Sequence, residues 1–472
     1  MDSFVDWSER DEISPFVQLL WDRGNAWEKE VIEGLEVPFL DLSSFALDEK
    51  EKLTSEAMQD REPLIYSCRI SADDLLGDPD LLRLEGDGYV PIDIKSGRGE
   101  EGDMDEGDGK PKKHYSVQLG LYLDVLERKG IAGGRHSYVW DSHGDEVRYD
   151  FDSAYGVRSP RTPWQDYQEA LTTARAIFSR QEQTLPAYSS VCKLCWWYSK
   201  CLKSMEASDD LTLVPELGRK ARDSIVGTID TVQELSEINP DGYVRGKKTV
   251  FPGVGPASLS KFHERAKLIK TKNAGPVLTS PVKLPSAELE LFFDIEVDPM
   301  RDICYLHGFI ERRNEDNTTE SFVSFFANDP ATDAEEQVFA DAWAYIQSNP
   351  GAAVYYYSKY ERTIYRKLQQ KYSHVCSEDD IEAMFDPSHT IDLYYDVVQK
   401  ATMWPTRDHS IKTLAKFLGF KWRDAHPSGA ASIEWYARWS EERDPTVKQR
   451  ILAYNEDDCR ATRVLLDGVR SL

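Results

Sequence analysis

The hydrophobic and polar positions between residue 289 and the C-terminus form strand-like runs followed by helix-like periods. Apolar and aromatic runs predict strands at 289–298, 303–311, 321–327 and 352–358. Apolar residues at helical spacing predict one helix at 333–348, another beginning at Glu361, and a last one at 446–470. This segment is therefore predicted to be one α/β domain.

The pattern differs in the earlier part of the chain. Residues 1 to about 205 mix strand and helix patterns and end in a cysteine cluster, whereas the next 70 or so favour short helices with Gly and Pro turns. Pro, Gly, Ser and Thr at 271–288 are typical of a linker. The predicted α/β multidomain chain thus has four parts, with boundaries 1–205, 206–275, 276–288 and 289–472. The acidic, glycine-rich segment 97–113 should be a solvated loop.

Composition narrows the function classes. A length of 472 residues suits about three domains. The net charge of −26 argues against a broadly basic nucleic-acid coat, but it is compatible with acids that hold metal. No apolar run spans a membrane and the N-terminal residues lack a signal-peptide pattern, so a cytoplasmic protein without membrane contact is predicted. Seven cysteines, three of them clustered, favour metal ligation over disulfides.

Two acids on the first strand of the C-terminal domain suggest a metal site. Asp294 and Glu296 are two residues apart, so both side chains leave the same face of the strand. Paired carboxylates on a buried strand repel and lose solvation, and a divalent cation is the usual remedy. The alternative is an exposed edge strand with two solvated acids.

The last helix adds Tyr454 and Asp458, which are four apart and share one face, while Asp457 should point elsewhere. Tyr454 taken alone could be a packed aromatic residue. Lys412 lies in the segment 409–420 before this helix and could contact a phosphate, although a solvated lysine is the simpler interpretation.

The D-x-E strand and the Y-x-x-x-D helix, in this order, resemble the DEDDy branch of the DEDD exonucleases, which have a ribonuclease H-like mixed sheet flanked by helices. The resemblance implies that Asp294, Glu296 and Asp458 bind two Mg²⁺ or Mn²⁺ ions and that Tyr454 orients or deprotonates the attacking water. Two metals would clamp the attacking and leaving oxygens of a phosphodiester. One departure is that Glu361 stands where the family usually has Asp. Four acids this close should also have raised pKa values without metal.

A second constellation lies in the N-terminal part. The segment 75–97 predicts a strand bearing Asp80, a turn at Gly86-Asp87-Gly88, and a strand bearing Asp93 and Lys95. A later helix places Gln118 and Tyr122 on one side. The order D…D-x-K…Q-x-x-x-Y resembles the PD-(D/E)XK core of RecB-like nucleases, a restriction-endonuclease-like fold. The resemblance implies that the two aspartates hold Mg²⁺ or Mn²⁺ and that Lys95 steadies water or phosphate. An ordinary β-hairpin with a surface ion pair is the alternative.

The N-terminal site departs from the RecB-like pattern at one position. Trp27 stands where that group usually carries a histidine, and the acidic Glu28 follows it. This departure, with Glu361 and an incomplete cysteine set, supports an alternative function: a nucleic-acid-binding or scaffold protein with degenerate nuclease sites.

The cysteine cluster has the spacing C-x2-C-x5-C, formed by Cys192, Cys195 and Cys201. Thiolates at such spacing bind zinc or iron–sulfur clusters. In RecB-like nucleases with a 4Fe–4S cluster, a fourth cysteine precedes the core; here Cys68, inside the core, or another ligand would have to substitute. Cys304 and Cys376 are predicted to be packing residues, and Cys459 should face away from Asp458.

The middle region resembles helix-hairpin-helix DNA-binding modules. Gly253 and Gly255 precede a helix whose first N–H groups could face a phosphate, and Lys261 belongs to a local basic patch with Arg265. A packing hairpin with a solvated basic face is the alternative. All three regions together resemble RecB-like nucleases fused to a YprB-type ribonuclease H-like domain. The predicted function is therefore a metal-dependent nuclease with a 3′–5′ exonuclease domain at its C-terminus. DNA is favoured over RNA as the substrate, and protein partners are left open.

Overall fold

The computed structural model of the protein describes residues 6–101, 109–156 and 160–472. The centre of the predicted solvated loop, 102–108, and the first residues of the N-terminal segment lie outside these ranges. The chain forms two compact units, one of residues 18–185 and one that joins the residues up to 17 with residues 186–472. Within the described ranges, every helix is too short or too polar to cross a membrane.

The unit of residues 18–185 is built on a mixed six-stranded sheet. Its strands are β1 (Leu40–Asp41), β2 (Leu64–Tyr66), β3 (Ile70–Ala72), β4 (Leu75–Gly77), β5 (Leu81–Glu85), β6 (Gly88–Ile94), β7 (Glu100–Glu101), β8 (Lys110–Pro111), β9 (His136–Trp140) and β10 (Glu146–Asp150). The helices are α1 (Pro15–Glu33), α2 (Leu47–Gln59), α3 (Lys113–Arg128) and α4 (Pro163–Phe178). The main sheet has the order β1-β2-β5-β6-β9-β10.

The hairpin of β5 and β6 is the centre of this unit. The two strands are antiparallel, with Leu81 opposite Ile92, and the turn between them requires the left-handed backbone of Gly86 at φ 59°. All seven residues of β6 are buried, which fits a central strand covered on both faces. Helix α3 packs on the sheet through Leu119 and Leu123. The predicted strand, turn and strand are thus confirmed, although two short strands, β4 and β5, replace the single first strand.

In the other unit, short helices lead from the cysteine cluster to the C-terminal domain, and the first of them contains Cys201. They are α5 (Tyr198–Ala207), α6 (Arg219–Ile225), α7 (Val232–Glu237) and α8 (Pro256–Lys270), with the small hairpin β11 (Val244–Arg245) and β12 (Lys248–Thr249) before α8. Leu211, Leu235, Phe251 and Leu259 form a small apolar core. The prediction of short helices joined by turns is confirmed.

The C-terminal domain contains a mixed five-stranded sheet with helices around it. The remaining strands are β13 (Val277–Leu278), β14 (Leu289–Asp298), β15 (Ile303–Arg313), β16 (Asp316–Phe326), β17 (Ala353–Tyr356), β18 (Thr390–Asp392) and β19 (Thr402–Met403). The remaining helices are α9 (Thr332–Gln347), α10 (Tyr360–Lys371), α11 (Glu378–Met384), α12 (Ile411–Phe417), α13 (Gly429–Glu442) and α14 (Pro445–Arg470). A short π-helix, Leu393–Gln399, follows β18.

The strand order β16-β15-β14-β17-β18 places β14 in the middle of this sheet. β14 is antiparallel to β15 and parallel to β17, so the sheet is mixed, as predicted. Phe293 and Phe309 stack across the first pair on one face, while Phe292 and Ile310 pack with the last helix on the other. A central strand with both faces covered explains the nearly continuous apolar sequence of β14.

The segment predicted to be a linker is instead packed on the C-terminal domain. Val277 and Leu278 pair with Met403 and Thr402 as β13 and β19. Val282 and Leu284 then pack against the apolar cluster that contains Phe292. Pro and Gly residues are typical of a solvated connection, but here Val282 and Leu284 are partly buried against the sheet, while Val277 and Leu278 remain exposed.

Candidate active sites

Strand β14 carries the two acids that begin the C-terminal site. Asp294 and Glu296 leave the strand on one face, and Asp458 approaches that face from α14. One carboxylate oxygen from each of the three residues lies within 4.8 Å of the others. Glu296 and Asp458 are buried, whereas Asp294 keeps some exposure. The edge-strand alternative is therefore wrong, because β14 is central in the sheet.

Helix α14 also places Tyr454 one turn before Asp458. The Lys412 ammonium donates hydrogen bonds to the Tyr454 hydroxyl at 2.8 Å and to Asp458 Oδ2 at 3.2 Å. Trp422 Nε1 donates to Asp458 Oδ1 at 2.6 Å. Lys412 is thus a partner of the acids, and its interpretation as a solvated lysine is wrong. Asp457 points away, as predicted, and accepts hydrogen bonds from Arg423.

Asn455 is a positioning residue that the sequence did not reveal. Its Nδ2 donates to Asp294 Oδ2 at 2.7 Å, and the side chain lies against Gly308 on β15. A Cβ added at Gly308 would lie 1.7 Å from Asn455 Oδ1, so only glycine allows this approach. The signal was present in the sequence as a glycine inside a strand.

Glu361 lies in the first turn of α10, and its buried side chain interacts electrostatically with Asp294 and Asp458. In the described part of the chain, its Oε2 atom accepts no hydrogen bond. A buried carboxylate oxygen without a donor is costly unless a cation or proton satisfies it. Glu361 is outside the group of three within 4.8 Å, so it borders that group.

Three carboxyl groups of this site, those of Asp294, Glu296 and Glu361, have the raised pKa values that were expected. Burial, and then the neighbouring Asp458, raises the pKa of Asp294. Burial and the two aspartates raise the pKa of Glu296, and burial followed by Asp294 raises that of Glu361. Burial and Asp458 also raise the pKa of Tyr454, so its hydroxyl keeps its proton in the metal-free protein. The four groups favour a cation that neutralises them.

The donor set fits Mg²⁺ or Mn²⁺. Carboxylate oxygens are the ligands that these hard cations prefer, and Glu361 offers an unsatisfied oxygen beside the three clustered acids. Asp294, Glu296 and Asp458 would hold the metal, and Tyr454 lies close enough to Asp458 to contact a bound phosphate or water.

The N-terminal site brings together the acids that the motif predicted. Lys95 Nζ lies 2.8 Å from Asp93 Oδ2, and the Asp80 carboxylate accepts the Ile94 N–H at 2.7 Å. Asp80 immediately precedes β5 and Asp93 is buried on β6. Burial, followed by repulsion from Asp93, raises the pKa of Asp80 to about 8. Asp80 therefore immediately precedes a strand, whereas the sequence had predicted that it lies on one. The alternative of a surface ion pair is wrong, because Asp93 is buried.

Three further residues surround this pair. Glu28 accepts a hydrogen bond from Tyr66 at 2.9 Å, and its charge contributes to the raised pKa of Asp80. Trp27 packs with an apolar cluster beside β6, so it offers no metal ligand. Gln118 donates to the Tyr122 hydroxyl at 2.8 Å, which confirms that the two share one side of α3. The sequence pattern had identified Glu28 only by its position after Trp27.

The three clustered cysteines lie on two short consecutive helices and in the segment between them. Cys192 lies in a 3₁₀ turn, Ser190–Leu194, Cys195 follows it, and Cys201 lies in α5. Burial raises the pKa of Cys201, and the charges of Cys195 and Cys192 add to the increase. Among the described residues, only the acids of β14 and α14 form a group of three within 4.8 Å, and the cysteines lie outside it.

The remaining cysteines pack in cores. Cys68 is buried in the smaller unit, where its thiol donates to the Ile65 carbonyl. Cys304 and Cys376 are buried, as predicted for packing residues. Cys459 donates to the Gly308 carbonyl at 3.4 Å and packs among apolar residues on the side of α14 away from Tyr454.

The middle region has a less open basic face than expected. Gly253 has φ 80°, Gly255 caps α8, and neither position has a neighbour that a Cβ would meet. However, Arg265 is buried and binds Glu216, which Lys261 also contacts at 3.0 Å. The expectation of a free basic patch containing Arg265 is wrong, because Glu216 neutralises it.

Comparison with known proteins identifies two superfamily domains in the chain. A model of the PD-(D/E)XK nuclease superfamily matches residues 11–201, and a model of the RNase_H superfamily matches residues 291–469. A comparison with curated proteins gave no significant match. The two matched ranges contain the Asp80, Asp93 and Lys95 set and the Asp294, Glu296 and Asp458 set, respectively. The chain combines a PD-(D/E)XK nuclease superfamily domain with an RNase_H superfamily domain, a combination that supports a nuclease acting on nucleic acid.

Proposed function

We propose that the C-terminal domain is a Mg²⁺- or Mn²⁺-dependent 3′–5′ exonuclease of the DEDDy type that acts on DNA in preference to RNA. The observation that carries the proposal is the group Asp294, Glu296 and Asp458, whose carboxylate oxygens lie within 4.8 Å of one another beside Tyr454. The DNA preference is supported by the middle region, where two glycines leave the start of α8 accessible, as in helix-hairpin-helix modules.

Different residues of the C-terminal site are proposed to position the metal ligands and to orient the attacking water. Bound metal would supply charge neutralisation and in-line positioning of the attacking and leaving oxygens. Asn455 holds the Asp294 carboxylate, and Trp422 holds that of Asp458, so both face the same point. Lys412 donates to the Tyr454 hydroxyl, which leaves the phenol proton available to a water or phosphate oxygen. Because burial raises its pKa, Tyr454 is proposed to orient the nucleophile rather than to deprotonate it.

The N-terminal site is proposed to be a second nuclease site. Asp80 and Asp93 converge with Lys95, and Glu28 provides a nearby acid in place of the ligand that Trp27 cannot supply. Gln118 would then position Tyr122 or the substrate near this cleft. The cysteine cluster is proposed to bind zinc or a 4Fe–4S cluster.

The test is degradation of single-stranded DNA and RNA, each labelled at either end, with Mn²⁺ and with EDTA. Asp458→Asn should abolish the stepwise loss of 3′ nucleotides, because it removes a proposed metal ligand. Asp457→Asn is the matched control: its carboxylate is one residue away but binds Arg423. This control should keep the activity.

Two results would overturn the assignment. If Asp458→Asn cuts as fast as the wild type, the C-terminal site is not catalytic and the remaining activity must come from the N-terminal site. If the wild-type protein binds DNA but cuts neither substrate with Mn²⁺ or Mg²⁺, the alternative of a nucleic-acid-binding scaffold replaces the proposal.

A further inference from the structure

Two tyrosines near the C-terminal site are unusually exposed. Tyr360 is 47% exposed and Tyr395 is 40% exposed, although most large aromatic residues of this domain are buried. Neither phenol hydroxyl makes a hydrogen bond within the described ranges of the chain. Exposed aromatic rings without polar partners lose hydration when they are covered, so they are suited to stacking on another flat ring.

A single carboxylate fixes the backbone that carries both rings. Asp392 Oδ1 accepts the N–H of Ser358 at 3.0 Å and those of Tyr394 and Tyr395 at 2.9 and 3.1 Å. Ser358 has φ 82°, a left-handed conformation that is uncommon for a residue other than glycine. Asp392 therefore connects the segment before α10 to the start of the π-helix, and so keeps Tyr360 and Tyr395 on neighbouring segments.

These segments follow the carboxyl ends of β17 and β18, next to the acids of β14. Strands β14, β17 and β18 are parallel neighbours, and ligands of such sheets bind beyond their carboxyl ends. Tyr360 immediately precedes Glu361, which borders the acid group. The Lys359 ammonium lies 5.8 Å from the centre of the Tyr395 ring, and Lys359 immediately precedes Tyr360 in the sequence.

We propose that Tyr360 and Tyr395, with Lys359, form a platform that binds unpaired bases at the end of a single nucleic-acid strand. The two rings stack on bases, and Lys359 contacts the phosphate between them. Stacking on aromatic rings and a nearby cation are the means by which proteins bind single strands without reading sequence. The proposal rests on the proposed function, because it states which part of the substrate lies beside the acid group.

Binding can be measured without cutting. The full-length protein is titrated, in EDTA, into a single-stranded oligonucleotide with 2-aminopurine at its 3′ end, and fluorescence quenching and anisotropy are followed. Tyr360→Ala and Tyr395→Ala should each weaken binding roughly 5- to 100-fold, the usual effect of losing one stacking ring, and reduce quenching. Tyr360→Phe and Tyr395→Phe should keep both signals, because the ring is retained.

Phe417→Ala is the matched control. Phe417 is 41% exposed on the same unit but lies at the end of α12 and outside the platform. Unchanged affinity and quenching in Tyr360→Ala and Tyr395→Ala, or an equal loss in Phe417→Ala, would overturn the platform. Since EDTA removes the need for catalysis, this result is distinguishable from failure of the proposed exonuclease, which would appear as absent Mn²⁺-dependent cutting with binding intact. Thermal unfolding should show that each variant is folded at the assay temperature, because 47% of Tyr360 and 40% of Tyr395 lie outside the protein core.

Discussion

The sharpest consequence of the acid group is that Asp294→Asn should stabilise the metal-free protein. Two charges that lie 4.8 Å apart or closer repel by at least about 3.5 kcal/mol at an effective dielectric constant of ~20, and the substitution removes two of the three repelling pairs among Asp294, Glu296 and Asp458. Proton uptake limits this repulsion, since protonating an ordinary carboxyl at pH 7 costs about 4 kcal/mol. Lys412, which is 3.2 Å from Asp458, offsets part of it.

We therefore expect a gain of about 1–3 kcal/mol, or a rise in Tm of roughly 2–10 °C for the transition of this domain. Asparagine is preferred to alanine because its side-chain oxygen still accepts the hydrogen bond from Asn455. In Mn²⁺ the wild type should be more stable than Asp294→Asn, because the wild type gains the binding free energy of the metal whereas the variant has lost a ligand.

The dependence on pH has a defined sign. The pKa values of Asp294 and Glu296 are raised in the folded protein, mainly by burial. The folded state thus holds more protons than the unfolded state above about pH 4. The metal-free wild type should lose stability as the pH rises above this value, and Asp294→Asn should lose less. Below about pH 4 the two proteins should converge.

The assay is thermal unfolding followed by tryptophan fluorescence from pH 4 to 8, in EDTA and in Mn²⁺. Asp457→Asn is the control, and it should be destabilised in both conditions because it weakens the ion pair with Arg423. The reasoning fails if Asp294→Asn is less stable than the wild type in EDTA at pH 7.5, or if Mn²⁺ stabilises both proteins equally.

Four further predictions concern single positions. Tyr454→Phe should keep Mn²⁺ binding, measured by calorimetry, but slow single-turnover cutting by roughly 10²-fold, the order of loss when a reacting group is misplaced by about 1 Å. An unchanged rate would show that Tyr454 does not orient the nucleophile. Gly308→Ala should lower the free energy of unfolding by about 1–3 kcal/mol in denaturant titrations and should reduce activity, because the added Cβ meets Asn455 Oδ1. Gly351→Ala is the control and should change neither quantity, because its added Cβ meets no neighbour. Lys95→Ala alone should leave 3′-end degradation intact. Added to Asp458→Asn, it should remove any cutting that the Asp458→Asn variant retains. Loss of 3′-end degradation in Lys95→Ala alone would contradict the separation of the two sites. Metal analysis and an absorbance spectrum of anaerobically purified protein should show zinc or iron, and Cys201→Ser should lower that content; absence of both metals would leave the cysteines without this role.

The C-terminal site was predictable from sequence because its residues sit on regular elements. Strand periodicity places Asp294 and Glu296 on one face, and helix periodicity places Tyr454 and Asp458 on another, so only the packing of β14 against α14 remained to be found. Asn455 was not found, because its role depends on the approach of α14 to Gly308, a contact between elements distant in sequence.

The failures have a common physical origin in partners that lie far along the chain. The pairing of Arg265 with Glu216 joins residues 49 apart in sequence, so α8 alone resembles a free basic face. Lys412 and Asp458 are 46 apart, and nothing near Lys412 indicates an acid partner. Asp80 was placed on a strand because the apolar residues on both sides of it continue the β pattern across a break.

The pairing of β13 with β19 has a practical consequence for dividing the protein. A fragment that begins at Leu289 would lose Val277 and Leu278 from that pair and would expose the apolar surface that Val282 and Leu284 cover. Tyr188 and Asp408, which hydrogen-bond at 3.1 Å, would also be separated. The RNase_H superfamily domain is therefore best isolated together with residues 186–288, so that the segment predicted to be a linker stays packed against the sheet.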